Sequence, residues 1–179
     1  MEKELLVNSY YHTSTILAIK NAPRFFPMIE RILKEEGVPD DFKYLAVAES
    51  NLSNGSSGAG AKGLWQFLKG TAGDFGLEVN TEVEERFHYE KSTRAAARFI
   101  KHLYQRTGSW VNAAAAYNMG LANLNKALDA QSEKSFFDLN VNDETSRYVF
   151  RIVALKEILL KPQAFGFYVD EDQKYAPFK

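Results

Sequence analysis

Glu49 is the residue whose position in the sequence best suits acid–base chemistry. It follows a mostly apolar segment, residues 42–48, which predicts a buried helix with a carboxyl group at its end. Burial disfavours the ionised form of a carboxyl group and raises its pKa, so such a group can donate a proton to a leaving oxygen near neutral pH. A glutamate that only marks where a helix meets water is the structural alternative.

A second carboxyl group is missing from the sequence that follows. No Asp or Glu occurs between Glu49 and Asp74. Enzymes that pair two carboxyl groups in one acid–base reaction hold them roughly 5 to 9.5 Å apart. The sequence therefore favours a single acid, although Glu78 or Glu144 could still fold close to Glu49.

Composition excludes several other kinds of chemistry and partner. The three histidines, His12, His88 and His102, show no metal-ligand spacing, and we predict no metal and no cofactor. Lys and Arg number 22 against 23 for Asp and Glu, and no basic stripe stands out, which argues against binding to nucleic acid or anionic lipid. The absence of cysteine excludes disulfides and thiol nucleophiles. No apolar run reaches the roughly 18 residues that a membrane span needs.

Helical periodicity and helix-capping residues predict an all-α fold without strands. Length and hydrophobic content suit one globular domain over residues 1–179, and nothing in the sequence requires more than a monomer. The predicted helices are residues 22–36 with Pro27 in the first turn, Pro39–Ser50, Leu64–Phe67, Thr71–Phe75 before a stop at Gly76, Ser92–Gly108, Ser109–Gly120, a further helix to Gln131, and a last helix from Asn142 or Asp143 to Leu160.

A loop rich in small residues follows Glu49. Residues 51–63 are almost wholly Ser, Asn, Gly and Ala, and they are too poor in large side chains to pack as a unit of their own. We expect either an ordered or a flexible loop beside the carboxyl group.

Four sequence blocks occur in order: Glu49-Ser50, SGAGAKGLWQF at residues 57–67, AYNMG at residues 116–120, and ETSRYV at residues 144–149. Together they resemble the lytic transglycosylases that share the goose-type lysozyme fold, in particular their membrane-bound D type. The resemblance covers about residues 25–160. It departs at Gly58, where the family often has proline, and at Gly55-Ser56, where the family has a more apolar pair.

The resemblance implies a lysozyme-like, all-α domain with the Gly/Ser-rich loop beside the active-site cleft and helical extensions at both ends. It also implies that peptidoglycan glycan strands are the substrate. Glu49 would protonate the oxygen between N-acetylmuramic acid and N-acetylglucosamine, then accept a proton from the muramic 6-hydroxyl as that group closes a 1,6-anhydro ring. We expect a periplasmic or cell-envelope location, with an export signal or lipoprotein anchor in the full-length protein that Met1-Glu2-Lys3-Glu4 does not supply.

The resemblance assigns substrate-binding roles to five further residues. Ser57 would lie near Glu49 or the acetamido group, and Gln66 would bind a sugar hydroxyl or the N-acetyl group. Tyr117 would aim its hydroxyl at Glu49 or the substrate, and Asn118 would contact the sugar at the cleavage site. Glu144 would line the cleft and support Tyr117 or the substrate. On residue type alone, these positions equally fit a solvated turn, an exposed amide and helix ends.

Two other functions remain open from the sequence. A hydrolase of the same fold would deliver water to C1 and leave a reducing muramic acid end. A catalytically inactive module would bind glycan without cutting it, although such a module has no need of a buried acid.

Overall fold

The structure is a computed structural model that describes residues 1–10 and 12–178. Within these ranges the chain forms no strand, only isolated bridges, which confirms the all-α prediction. The α-helices are α1 Glu2–Tyr10, α2 His12–Glu36, α3 Lys43–Ser50, α4 Lys69–Asp74, α5 Tyr89–Thr107, α6 Trp110–Met119, α7 Leu121–Gln131 and α8 Asp143–Leu160. Short 3-10 helices occupy Asp40–Phe42, Glu85–Phe87, Phe136–Asp138, Pro162–Phe165 and Glu171–Gln173. No described helix has the length and apolar character required to span a bilayer.

The hydrophobic core surrounds α3 and α6. Helix α3 packs against α2 and α8, and its residues from Tyr44 to Val47 are buried. Helix α6 packs against α5, α7 and α8, and the four buried alanines at residues 113–116 let these helices approach closely. Helix α8 thus packs against both α3 and α6.

The start of α2 differs from the prediction. The sequence places Pro27 in the first turn, whereas the helix begins at His12 and contains both Pro23 and Pro27 in its interior. Each internal proline removes a hydrogen bond and costs roughly 3 kcal/mol. Residues of α2 buried in the core, among them Phe25 and Ile29, outweigh that cost because they pack against α3 and α5.

Three further boundaries are also corrected. Residues 64–67 do not form a helix, because Gln66 adopts a left-handed backbone conformation (φ 48°) and Phe67 pairs with Lys62. Helix α4 begins at Lys69, so Thr71 lies inside it. Helix α5 begins at Tyr89 because the side chain of His88 accepts the Lys91 N–H at 3.3 Å.

The predicted caps of the helices that carry the candidate site are confirmed. The Ser109 hydroxyl accepts the Asn112 N–H at 3.4 Å at the start of α6. The Asn142 side chain accepts the Thr145 N–H at 2.9 Å at the start of α8. Gly108 ends α5 with φ 67°. These local signals fix where α6 and α8 begin.

Candidate active site

Glu49 lies in the last turn of α3 and is partly buried. The helix ends abruptly because Asn51 adopts a left-handed conformation (φ 52°) and donates its N–H to the Val47 carbonyl at 2.8 Å. The Ser50 hydroxyl lies 2.8 Å from the Leu64 carbonyl and 3.1 Å from the Ala46 carbonyl, and its one proton is shared between these two acceptors. The end of α3 is thereby tied to the segment that closes the loop.

The carboxyl group of Glu49 faces helix α8. The hydroxyl of Tyr148 donates a hydrogen bond to Glu49 Oε1. Burial raises the pKa of Glu49, and the Tyr148 hydrogen bond and the charge of Arg151 offset that rise only in part. Glu49 therefore holds a proton to higher pH than an ordinary glutamate does.

Neither Tyr148 nor Arg151 is among the residues predicted from sequence. Tyr148 is 3% exposed, and its pKa lies well above its usual value because of burial and the adjacent Glu49 carboxyl group. The two residues lie three positions apart on α8, a spacing that places them on one face of a helix. The block ETSRYV contains Tyr148, but only the packing of α8 on α3 identifies its hydroxyl as the partner of the acid.

Tyr117, at the end of α6, also lies near Glu49. Its hydroxyl donates to the Trp65 carbonyl at 2.7 Å. Burial raises its pKa well above the usual value, and the negative charge of Glu49 adds to that rise. Its ring packs against Phe67 and Phe99. The Trp65 carbonyl thus fixes the position of the Tyr117 hydroxyl, and the hydroxyl also interacts electrostatically with Glu49.

A buried arginine fastens the loop after α3 to the rest of the molecule. Arg86 is 4% exposed, and its Nη1 donates to the carbonyls of Gly60 and Phe67 at 3.0 Å each. Glu84 accepts from Arg86 Nε and Nη2 at 2.7 Å each and from Lys62 at 3.0 Å. The hydrogen bond with Arg86, supported by Lys62, lowers the pKa of Glu84 to about 2. The loop is therefore ordered, and the Arg86 charge that binds its carbonyls is paired with Glu84.

Two predicted substrate-binding residues lie within this loop and its return. The side-chain amide of Gln66 donates to the Gly63 carbonyl at 2.8 Å and to the Gly55 carbonyl at 3.3 Å. Ser57 is exposed, and its hydroxyl accepts the Ala61 N–H at 3.1 Å. The hydrogen bonds of both side chains stabilise the loop. Contacts of Ser57 and Gln66 with a sugar stay predictions.

The other two predicted residues are exposed. Asn118 follows Tyr117 on α6, and Glu144 lies in the first turn of α8. The hydrogen bond to Glu49 from α8 comes from Tyr148, one helical turn after Glu144. Glu78, also exposed, accepts from Asn80 at 2.7 Å. The groups that act on Glu49 are thus Tyr148 and Arg151 rather than a second carboxylate. Across residues 1–10 and 12–178, no three His, Asp or Glu side chains form a metal-binding group.

Comparisons with known proteins agree on one family. The family model of the transglycosylase SLT domain matches residues 26–140. The membrane-bound lytic murein transglycosylase D of Escherichia coli is 29% identical over 171 residues, which cover 92% of this chain and 37% of that protein. The chain thus spans little more than a third of the length of that relative. An inactive mutant of the lytic transglycosylase Slt from Pseudomonas aeruginosa has a similar fold, with a TM-score of 0.59 and 22% identity over 84% of this chain and 26% of that one.

Proposed function

Because the chain belongs to the transglycosylase SLT domain family, we propose that it cleaves peptidoglycan glycan strands between N-acetylmuramic acid and N-acetylglucosamine, with Glu49 as its single acid and base. The observation that carries this proposal is the environment of Glu49. Burial raises the pKa of its carboxyl group and so favours the protonated form, while the groups that oppose this rise are a tyrosine hydroxyl and an arginine charge; no second carboxylate is among them. That arrangement suits proton donation followed by proton recovery at one carboxyl group.

In the first step, Glu49 donates its proton to the glycosidic oxygen, and the bond from that oxygen to C1 of the muramic residue breaks. The carboxyl group becomes a carboxylate. Hydrogen bonding from Tyr148 and the positive charge of Arg151 both favour the ionised form, so they stabilise the enzyme as charge develops. The acetamido group of the substrate stabilises the electron-poor C1, a substrate-assisted route known for glycosidases that depart from the usual two-carboxylate scheme.

In the second step, the Glu49 carboxylate accepts the proton of the muramic 6-hydroxyl while that oxygen bonds to C1. The product is a 1,6-anhydro ring, and Glu49 regains its starting protonation state. No water is consumed. Burial of the carboxyl group favours this step as well, because it raises the basicity of the carboxylate.

We further propose a cell-envelope location for the protein, because its substrate lies there. The E. coli relative is named as membrane-bound. Peptidoglycan strands are the partner, and substrate contacts are assigned to Ser57, Gln66, Tyr117, Asn118 and Glu144.

Mass analysis of the products from purified peptidoglycan tests the proposed reaction. Muropeptides lighter than hydrolysis products by the mass of one water molecule would support the transglycosylase. Full-mass reducing ends would assign the chain as a lysozyme-like hydrolase. Glycan binding without any cleavage would assign it as a binding module.

Replacing Tyr148 with phenylalanine should lower kcat about ten- to hundredfold, because a hydrogen bond to a charged group contributes roughly 1.5 to 3 kcal/mol. The Tyr148 bond lowers the pKa of Glu49, so its loss should raise that pKa. Activity requires protonated Glu49 and falls as pH rises through this pKa, so the alkaline limb of the kcat/KM profile should move to higher pH.

The matched control for this change is Tyr44→Phe, which alters another buried tyrosine at the opposite end of α3. Its pH profile should equal that of the unaltered chain. A Tyr148→Phe profile that also stayed in place would show that the hydroxyl does not act on Glu49.

Replacing Asn118 with alanine should reduce kcat/KM about three- to tenfold, the usual effect of losing one neutral hydrogen bond. The melting temperature should stay the same, because the side chain is exposed. Asn125→Ala on the exposed side of α7 is the control. Equal kinetics for the two variants would remove Asn118 from the substrate-binding residues.

A further inference from the structure

Helix α1 contains a carboxyl group that is almost completely buried. Glu4 is 1% exposed, and it lies outside residues 26–140, which the family model matches. Fully buried glutamates are rare unless they are paired. The burial of Glu4 therefore calls for partners on a neighbouring element.

Those partners are two arginines of α8. Glu4 Oε1 accepts a hydrogen bond from Arg147 Nε, and Glu4 Oε2 lies 3.5 Å from Arg151 Nε. Arg147 also pairs with Asp143 at 3.2 Å. Helices α1 and α8 pack against each other along this contact. One buried carboxyl group thus forms ion pairs with two arginines one helical turn apart, with a hydrogen bond to Arg147 and by charge without a hydrogen bond to Arg151.

The same turn of α8 faces the proposed acid. Tyr148, next to Arg147, donates to Glu49, and the positive charge of Arg151 acts on the Glu49 carboxyl group. A surface depression is lined by Arg151, by Val7 and Asn8 of α1, and by Ala48 and Asn51, which flank Glu49 in the sequence. Helix α1 therefore reaches the surroundings of the acid through Arg151.

We propose that Glu4 is a positioning residue of the active site: by pairing with Arg151, it fixes and partly neutralises the positive charge that acts on Glu49. Helix α1 is then a functional part of the catalytic domain. This inference rests on the proposed role of Glu49 as the acid.

The charges around Glu49 determine whether loss of Glu4 raises or lowers the pKa of Glu49. Tyr148 and Arg151 face it from α8, Tyr117 faces it from α6, and Glu4 acts from α1 through Arg151. Without the negative charge of Glu4, the full charge of Arg151 favours the carboxylate and lowers the pKa of Glu49. Less Glu49 is then protonated near neutral pH, and the alkaline limb of activity moves to lower pH.

The experiment measures Glu49 directly and therefore does not depend on turnover. Chains labelled with carbon-13 at the glutamate carboxyl are titrated by NMR, and the Glu49 signal is assigned by its loss in Glu49→Gln. The variants are Glu4→Gln, Arg151→Gln and the double variant. Glu2→Gln, an exposed position of the same helix, is the control. The kcat/KM profile against pH is recorded for each.

We expect the Glu49 midpoint to fall by about one pH unit in Glu4→Gln, to rise in Arg151→Gln, and to stay unchanged in Glu2→Gln. In the Arg151→Gln background, adding Glu4→Gln should change the Glu49 midpoint little, because the charge that pairs with Glu4 is gone.

A Glu49 midpoint that falls equally in both backgrounds, or falls in neither, would overturn the inference. If Glu4→Gln does not fold, a midpoint in Arg151→Gln that fails to rise would overturn it. An unaltered chain that cuts no glycan would contradict the proposed function and leave the titration result interpretable.

Discussion

Replacing Glu49 with glutamine should lower the rate of glycan cleavage by about 10² to 10⁴. The amide has almost the shape of the carboxyl group but cannot transfer the proton. It can still accept the hydrogen bond of Tyr148. Because burial disfavours the ionised carboxyl group, removing that group should leave the melting temperature unchanged or raise it.

Three measurements on this variant separate catalysis from folding: the rate of muropeptide release, binding to sedimented peptidoglycan, and thermal unfolding. Glu133→Gln, at an exposed position, is the matched charge control and should keep full activity. Retained activity in Glu49→Gln would refute the assignment of the acid. Loss of folding in that variant would point to a structural role for Glu49.

Replacing Gly63 with alanine should lower the free energy of unfolding by about 2 to 5 kcal/mol, the combined size of backbone strain and overpacking. Gly63 has φ 81°, and an added Cβ would lie 1.9 Å from the carbonyl oxygen of Arg86. The Arg86 backbone would have to move, and this movement would disturb the hydrogen bonds by which the Arg86 side chain fastens the loop. Activity should fall with stability, because the adjoining Leu64 carbonyl holds Ser50 beside the acid.

Two other glycines of the same loop separate the causes in a chemical denaturation series. At Gly60 (φ 81°) an added Cβ meets nothing within 4 Å, so Gly60→Ala isolates backbone strain and should cost roughly 1 to 2 kcal/mol. Gly58 is open and lacks a positive φ, so Gly58→Ala should change the unfolding free energy by less than about 0.5 kcal/mol. Equal losses at Gly60 and Gly63 would show that the contact with Arg86 has no effect.

Local signals in the sequence predict the elements that carry the acid. The mostly apolar residues 42–48 predict α3, and Glu49 lies in its last turn, before the left-handed Asn51 ends the helix. The side chains of Ser109 and Asn142 accept the backbone N–H groups that begin α6 and α8. Each of these signals acts within about one helical turn and is therefore readable from the sequence.

The predictions that are wrong depend on contacts between distant residues. Pro27 is tolerated inside α2 because the apolar face of that helix packs against other elements. Residues 64–67 have a helical pattern of residue types, yet Gln66 turns left-handed because its amide bonds the Gly55 and Gly63 carbonyls. The free energy that such packing and hydrogen bonding contribute depends on distant residues, so a local sequence pattern does not predict it.

The surroundings of the acid come from distant parts of the chain for the same reason. Tyr148 is 99 residues from Glu49, and Glu4 is 143 residues from Arg147. The burial of Arg86 likewise depends on two backbone carbonyls, of Gly60 and Phe67, that precede it by 26 and 19 residues. Family resemblance identifies the blocks that meet at the site, whereas packing determines which side chains in them touch.

Digestion of purified peptidoglycan in water enriched in heavy oxygen tests most directly whether C1 is attacked by the sugar's own hydroxyl. The new muramic ends should carry no heavy oxygen, because the 6-hydroxyl of the same residue closes the ring with Glu49 as base. A lysozyme digest run in parallel provides the labelled reference. One heavy oxygen at C1 in the products of this chain would establish attack by water and rule out ring closure by the 6-hydroxyl.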